Sequence, residues 1–127
     1  MIDSRLLSAA VGSYDRLFMK LPNGERAIVD IRKLQEYCLN PQHSIGRNKA
    51  RVFASVGIRV GDAEGLREAL LAAACNAEAL PGAASVYGQR YVVDFDMVRQ
   101  GRTVRIRSAW IVRVGEALPR LTSCYVL

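Results

Sequence analysis

Histidine is almost missing from this chain, which has only His43. Chemistry that needs two imidazoles is therefore excluded, and proton transfer near neutral pH falls to one ring or to lysine and tyrosine. The three cysteines, Cys38, Cys75 and Cys124, are odd in number, far apart and set among apolar residues. That pattern suggests neither a disulfide framework nor a zinc site, and it predicts buried free thiols in a reducing compartment. Acidic residues are scarce beside basic ones, 12 against 18, and no acidic cluster is able to hold a catalytic metal. Neither a metal nor another cofactor is expected. Asp94 and Asp96 come nearest to a carboxylate pair, but two apart on a strand they share a face and are placed to pair with arginines opposite. No apolar run is long enough to span a bilayer, and Met1 to Val11, interrupted by Asp3, lacks a signal-length apolar core. A cytoplasmic protein without membrane contact is the expectation. Glycine-rich nucleotide loops and nucleophile elbows are missing too, as are repeats and linkers, so residues 1–127 read as one domain.

The composition that remains, 50% hydrophobic and 24% charged, is that of a globular domain with a core of its own. Its net charge of +6 comes mostly from arginine, the residue suited to bidentate phosphate contacts. Such an excess favours a polyanionic partner: nucleic acid, an anionic surface, or an acidic protein that mimics one.

The most informative stretch is Tyr37 to Val56, YCLNPQHSIGRNKARVFASV. His43 is followed by a glycine-containing turn and then a helix with Arg47, Lys49 and Arg51. On a helical wheel begun at Ile45, the residues Ile45, Val52, Phe53 and Val56 form an apolar stripe with Lys49 in its middle. A lysine there either snorkels to water or points into a cleft where it meets an anion. Ser44 is a plausible N-cap, and the first turn holds Arg47 where an acid would suit the helix dipole. A helix start flanked by histidine and cations makes an anion site, with phosphate the usual anion. Arg47 and Lys49 point roughly 160° apart on the wheel, so both face one phosphate only if Arg47 precedes the regular helix.

Around this stretch the pattern predicts an α+β fold, with N-terminal helices and a short hairpin packed on one face of a twisted antiparallel sheet. The helices are expected over Ser4 to Val11, from an Asp30 cap to about Leu39 with Val29 and Leu34 as a hydrophobic staple, from Ser44 to a stop at Gly57, and from an Asp62 cap to about Asn76. A hairpin is expected from Tyr14 to Val29 around Pro22, Asn23 and Gly24. From Tyr87 onward a meander follows, with strands Arg90 to Val98, Thr103 to Val114 and Arg120 to Leu127. On the middle strand Val104, Ile106, Ser108, Trp110, Val112 and Val114 share one face, and Arg105, Arg107 and Arg113 share the other. Ser108 is either a satisfied core serine or a phosphate donor. The arginine row is either a nucleic-acid track or a solvated face.

Tyr37, Leu39, Asn40, His43, Gly46, Lys49, Ala50, Phe53 and Gly57, with the later Arg107 to Ile111 and Leu121 to Val126, resemble the signature of a family of small bacterial domains. Those domains occur alone or at the C-terminal tips of polymorphic and contact-dependent toxins. The resemblance covers roughly residues 25 to 127, and it departs at Cys38, where leucine is commoner, and at Ser108, where threonine is. It implies kinship with the metal-independent ribonucleases that share a fold with barnase, EndoU, the colicin nucleases and RelE, in which helices precede a four-stranded antiparallel sheet that carries the active site.

Under that resemblance the chain is a toxin that cleaves RNA, with transfer RNA one candidate substrate, through attack of the 2′-OH. Metal-free cleavage needs a base, a donor for the phosphorane charge and an acid. His43 is then the base or acid, Lys49 and Arg47 stabilise charge, and Ser108 donates to a phosphate oxygen. Trp110 and Tyr125 stack bases, and Arg105 and Arg107 hold substrate. The second proton-transfer group falls to Tyr87, Tyr125 or Lys49. A toxin of this kind implies a small acidic antitoxin or immunity protein as partner. The alternative is a non-catalytic basic module that binds nucleic acid or an acidic partner through the arginine strand, leaving His43 dispensable.

Overall fold

The computed structural model describes residues 18–127, so the expected helix over Ser4 to Val11 lies outside the described residues. A four-stranded antiparallel sheet carries the helices on one face, in the order β1 (Ala79–Ser85), β2 (Gly88–Arg99), β3 (Arg102–Arg113) and β4 (Arg120–Val126). Before it run α1 (Ile31–Lys33, continued as a π-helical turn over Leu34–Cys38), α2 (Arg47–Ser55) and α3 (Ala63–Asn76). The architecture is α+β, as the residue pattern predicts.

Local chemistry accounts for most of these boundaries. Asp30 caps α1, accepting from the Arg32 backbone N–H at 3.0 Å, and Val29 and Leu34 are both buried. α2 ends in a Schellman motif: Gly57, at φ 84°, donates to the Ala54 carbonyl and Ile58 donates to that of Phe53. The side chains of Ile58 and Phe53 are both fully buried, which supplies the apolar contact that stabilises this motif. α3 begins where expected, but the Asp62 carboxylate accepts from the Arg59 N–H and from Arg99 instead of from its own helix. Gln100 and Gly101, both at positive φ, form the two-residue turn between β2 and β3.

Among the described residues the expected hairpin does not form, residues 14–17 of its first strand lying outside them. The segment Gly24–Arg26 is a 3₁₀ turn docked on the end of α3, where Gly24 leaves no room for a Cβ against the Ala74 carbonyl. Its flanks separate, since Lys20 pairs with Glu78 while Ile28 forms a parallel bridge with Arg120. Each flank satisfies backbone groups beside a different outer strand, and that competition wins over their pairing with each other. The sequence reading also missed β1, because its run of Ala, Leu, Pro, Gly, Ala, Ala and Ser has no period-2 signal. Its proline and glycine are tolerated because the strand is at an edge and its register shifts between Pro81 and Ala84.

The core lies between the helices and one sheet face. Leu66, Leu70, Ala73 and Ala74 of α3 pack with Val93, Phe95, Val104, Ile106 and Trp110 of the sheet, as the alternation on β3 predicts. Cys38 and Cys124 are buried free thiols, and their mutual interaction pulls the Cys38 thiol down while it and burial push Cys124 up.

Candidate nucleic-acid interface on the open sheet face

Period-2 alternation divides β3 into two surfaces with different chemistry. Val104, Ile106, Ser108 and Trp110 point into the core, and Arg105 and Arg107 point to the face that no described helix covers. On that open face one row runs across three strands, since Asp94 pairs in register with Arg107 and Arg107 with Tyr125. The next row sets Asp96 opposite Arg105.

Both arginines meet the carboxylates opposite them. Arg107 makes a two-pronged contact with Asp94, Nε and Nη2 each donating at 2.9 Å, and Arg105 donates to Asp96 at 3.2 Å. The hydrogen bonds from Arg107 hold the Asp94 carboxyl below its usual range, and the same bonds raise Arg107 further. Tyr125 is the register partner of Arg107 on its other side. The two-pronged contact fixes the orientation of the Arg107 guanidinium.

Lys49 reaches this row from outside the sheet. α2 packs against β4, and its ammonium lies 4.3 Å from the Tyr125 ring centroid, a cation–π contact. The structure keeps part of the apolar stripe that the sequence suggests. Regular helix starts at Arg47, so Ile45 belongs to the preceding turn and is 79% exposed, Val52 is exposed too, and the buried face is Ala50 and Phe53. Lys49 is one turn before Phe53 and two before Val56, which packs against the core, and from there it reaches over β4. Arg47 is the first residue of the helix, so the condition for it and Lys49 to face one phosphate, that Arg47 precede regular helix, is not met.

Two further expectations are corrected by burial. Ser108 is fully buried and its hydroxyl is used twice, donating to the Val93 carbonyl at 2.6 Å and accepting from Trp110 Nε1 at 2.8 Å. It is a core serine with no reach to a phosphate. Trp110, also fully buried, fills the space under the helices and has no ring face to offer a base. Tyr87 occupies the turn between β1 and β2, its carbonyl bonded to the Val114 N–H, at the far end of the sheet from Tyr125. It is not part of the Lys49 constellation.

His43 has a structural task that the sequence did not reveal. Its Nδ1 accepts from the backbone N–H groups of Ile45 and Gly46, at 3.0 and 3.1 Å, and its ring stands edge-on to Tyr37 with centroids 4.8 Å apart. The lead-in turn of α2 is thus satisfied by an imidazole, where Ser44 was expected as cap. The concavity that His43 lines, with Lys33, Glu36 and Tyr37, does not include Lys49. Only Nε2 remains to meet a ligand there.

Of the predicted residues, the fold brings together Lys49, Tyr125, Arg107 and Arg105. The signal for Asp94 and Asp96 as their partners was in the sequence, as alternating acids on one strand and alternating arginines on the next. Among the described residues no three His, Cys, Asp or Glu side chains converge as a metal site, and no helix is long and apolar enough to cross a membrane.

A family model, described as a domain of unknown function (DUF6883), matches residues 20–127. The chain belongs to that family. The match takes in the whole sheet, the helices and every residue of the Lys49 constellation. No curated protein and no solved structure matches the chain.

Proposed function

We propose that this domain is a metal-independent endoribonuclease of toxin type whose open sheet face binds RNA, with transfer RNA a candidate substrate. The observation that carries the reading is the Lys49 ammonium seated over Tyr125, whose neighbour Arg107 is locked by Asp94. In this reading the 2′-O–H proton passes to a base, the 2′-oxygen bonds to phosphorus, the bond from phosphorus to the 5′-oxygen breaks, and that oxygen gains a proton. The products are a 2′,3′-cyclic phosphate and a free 5′-hydroxyl. Lys49 and Arg107 stabilise the charge of the phosphorane, and Arg105 holds a neighbouring phosphate. The Tyr125 hydroxyl and the Lys49 amine are the proton-transfer groups next to that phosphate. Recognition of the 2′-OH would make DNA inert. The cytoplasm is where such a substrate is met, and a small acidic protein that mimics the phosphates on this face is the restraining partner.

Incubating the purified protein with RNA in EDTA tests the proposal. Cleavage to cyclic-phosphate ends is expected from the wild type and not from Lys49→Ala or Tyr125→Phe. Metal dependence, or activity retained in both variants, would sink it. A second reading, a non-catalytic binding module, is favoured by the commitment of His43 Nδ1 to the backbone, which removes that imidazole nitrogen from proton transfer. RNA binding without any cleavage would select that reading.

A further inference from the structure

The open face continues past the Lys49 constellation to an end with a different charge arrangement. Arg90 and Arg113 lie on the same face as Arg107, as diagonal neighbours across the ladder between β2 and β3. The residues opposite them are Ile111 and Gly88, and neither arginine makes an ion pair with a described residue. Beside Arg113 a cavity of about 230 Å³ opens between β3, β4 and the start of α1. Lys33, Arg113, Arg120 and Thr122 line it, over an apolar floor that includes Ile111 and Leu121. The one acid in its wall, Asp30, is already held by Arg32 at 2.9 Å.

We propose that this cavity is a second subsite, which takes a sugar–phosphate unit of the same RNA strand several nucleotides away from the Lys49 constellation. The inference rests on the RNA reading above. Lys33 and Arg113, from separate elements, face one concavity and pair with no described carboxylate, while Arg120 at its wall is held by Glu116 at 3.0 Å, and the apolar floor suits a ribose. Arg107 and Arg113 are six residues apart on β3, a separation of about 20 Å at strand rise, which covers about six stacked nucleotides and fewer of an extended strand. A dinucleotide at Lys49 cannot reach the cavity. The substrate class is therefore a single-stranded or looped RNA long enough to cross the face, bound through its backbone with little regard to base identity.

Length dependence is the test. Fluorescein-labelled oligoribonucleotides of about three and about twelve residues are titrated with the full chain and with a Lys33→Ala/Arg113→Ala variant over a series of KCl concentrations. Wild-type protein is expected to gain affinity with length. The variant should lose that gain by about tenfold, with the slope of log Kd against log salt falling by about 0.7 for each phosphate contact removed. A variant of unchanged melting temperature that keeps both the length gain and the salt slope overturns the subsite while leaving the Lys49 reading untouched. Wild-type protein that binds neither length removes the RNA reading and the subsite with it. Polyglutamate of matched charge that depends equally on Lys33 and Arg113 overturns the RNA assignment in favour of an acidic protein. Arg90→Ala, at an exposed strand position, is a second variant for the same titration, with a smaller loss expected.

Discussion

The two ends of the open sheet face carry the same residue type in opposite circumstances. Around Tyr125, Arg105 and Arg107 each have an aspartate directly across the ladder, and at the other end Arg90 and Arg113 face Ile111 and Gly88. Pairing costs an arginine much of its attraction for an external anion but fixes its guanidinium in one orientation, whereas an unpaired arginine keeps its charge and its freedom. Orientation suits a position where charge develops during a reaction, and free charge suits capture of a flexible backbone. On the proposed RNA reading, chemistry falls to the end where Arg105 and Arg107 are paired, and grip to the end where Arg90 and Arg113 pair with no described residue, Arg120 beside them being held by Glu116.

The largest effect that would break this comparison is expected at the paired end. Replacing Lys49 by alanine should lower RNA cleavage by about a hundredfold or more, as loss of a charge-stabilising donor does elsewhere, with little change in affinity for a long RNA. Rates and anisotropy measured on the same preparations separate the two effects. Equal losses in cleavage and binding would mean that both ends only grip. Asp94→Asn should sharpen the contrast by making the paired end resemble the other: with its partner neutralised, Arg107 is free to take a phosphate. RNA binding is expected to tighten severalfold and cleavage to fall, a split that a merely structural aspartate would not produce.

Acid should reproduce that substitution. Arg107 holds the Asp94 carboxyl below its usual value of 3.8, so the folded state keeps the proton off more strongly than the unfolded chain does. The stability from this contact is present above the usual carboxylate range and is lost as pH falls through the lowered value. The gap in melting temperature between wild type and Asp94→Asn should accordingly be open at neutral pH and close below 3.8. The smallest effect is expected outside both ends. His43→Ala removes the acceptor for two backbone N–H groups and should cost about 1 kcal/mol of stability, read by denaturant unfolding. Abolished cleavage in a His43→Ala protein that remains folded would bring the imidazole back into the reaction and move the chemistry toward the concavity beside Lys33.

Much of the fold was legible because it is periodic. The alternation on β3, the α3 stripe of Leu66, Leu70, Ala73 and Ala74, the Gly57 stop and the Asp30 cap are all local patterns, and the structure keeps each of them. β1 escaped because its small residues have no alternation to read. The hairpin failed because its two flanks found better partners at opposite sides of the sheet. In the candidate site, spacing offered pairing of Asp94 and Asp96 with the arginines opposite as one of two readings, and the structure shows that pairing. Lys49 was singled out from an apolar stripe of which the structure keeps Phe53 and Val56 on the core side, while Ile45, before the helix, and Val52 are exposed.

By itself the sequence determined the helix-then-sheet order, the split of β3 into an apolar and a cationic surface, and the excess of arginine, because each depends on residue identity and short-range periodicity. Only the tertiary structure decided that Ser108 and Trp110 satisfy each other in the core, that His43 is occupied by backbone N–H groups, and that Lys49 lies over Tyr125. The last of these joins residues 76 positions apart in the chain, 125 less 49, through the packing of α2 on β4. A contact of that kind is set by which surfaces bury the most apolar area together, and no local pattern in the chain records it.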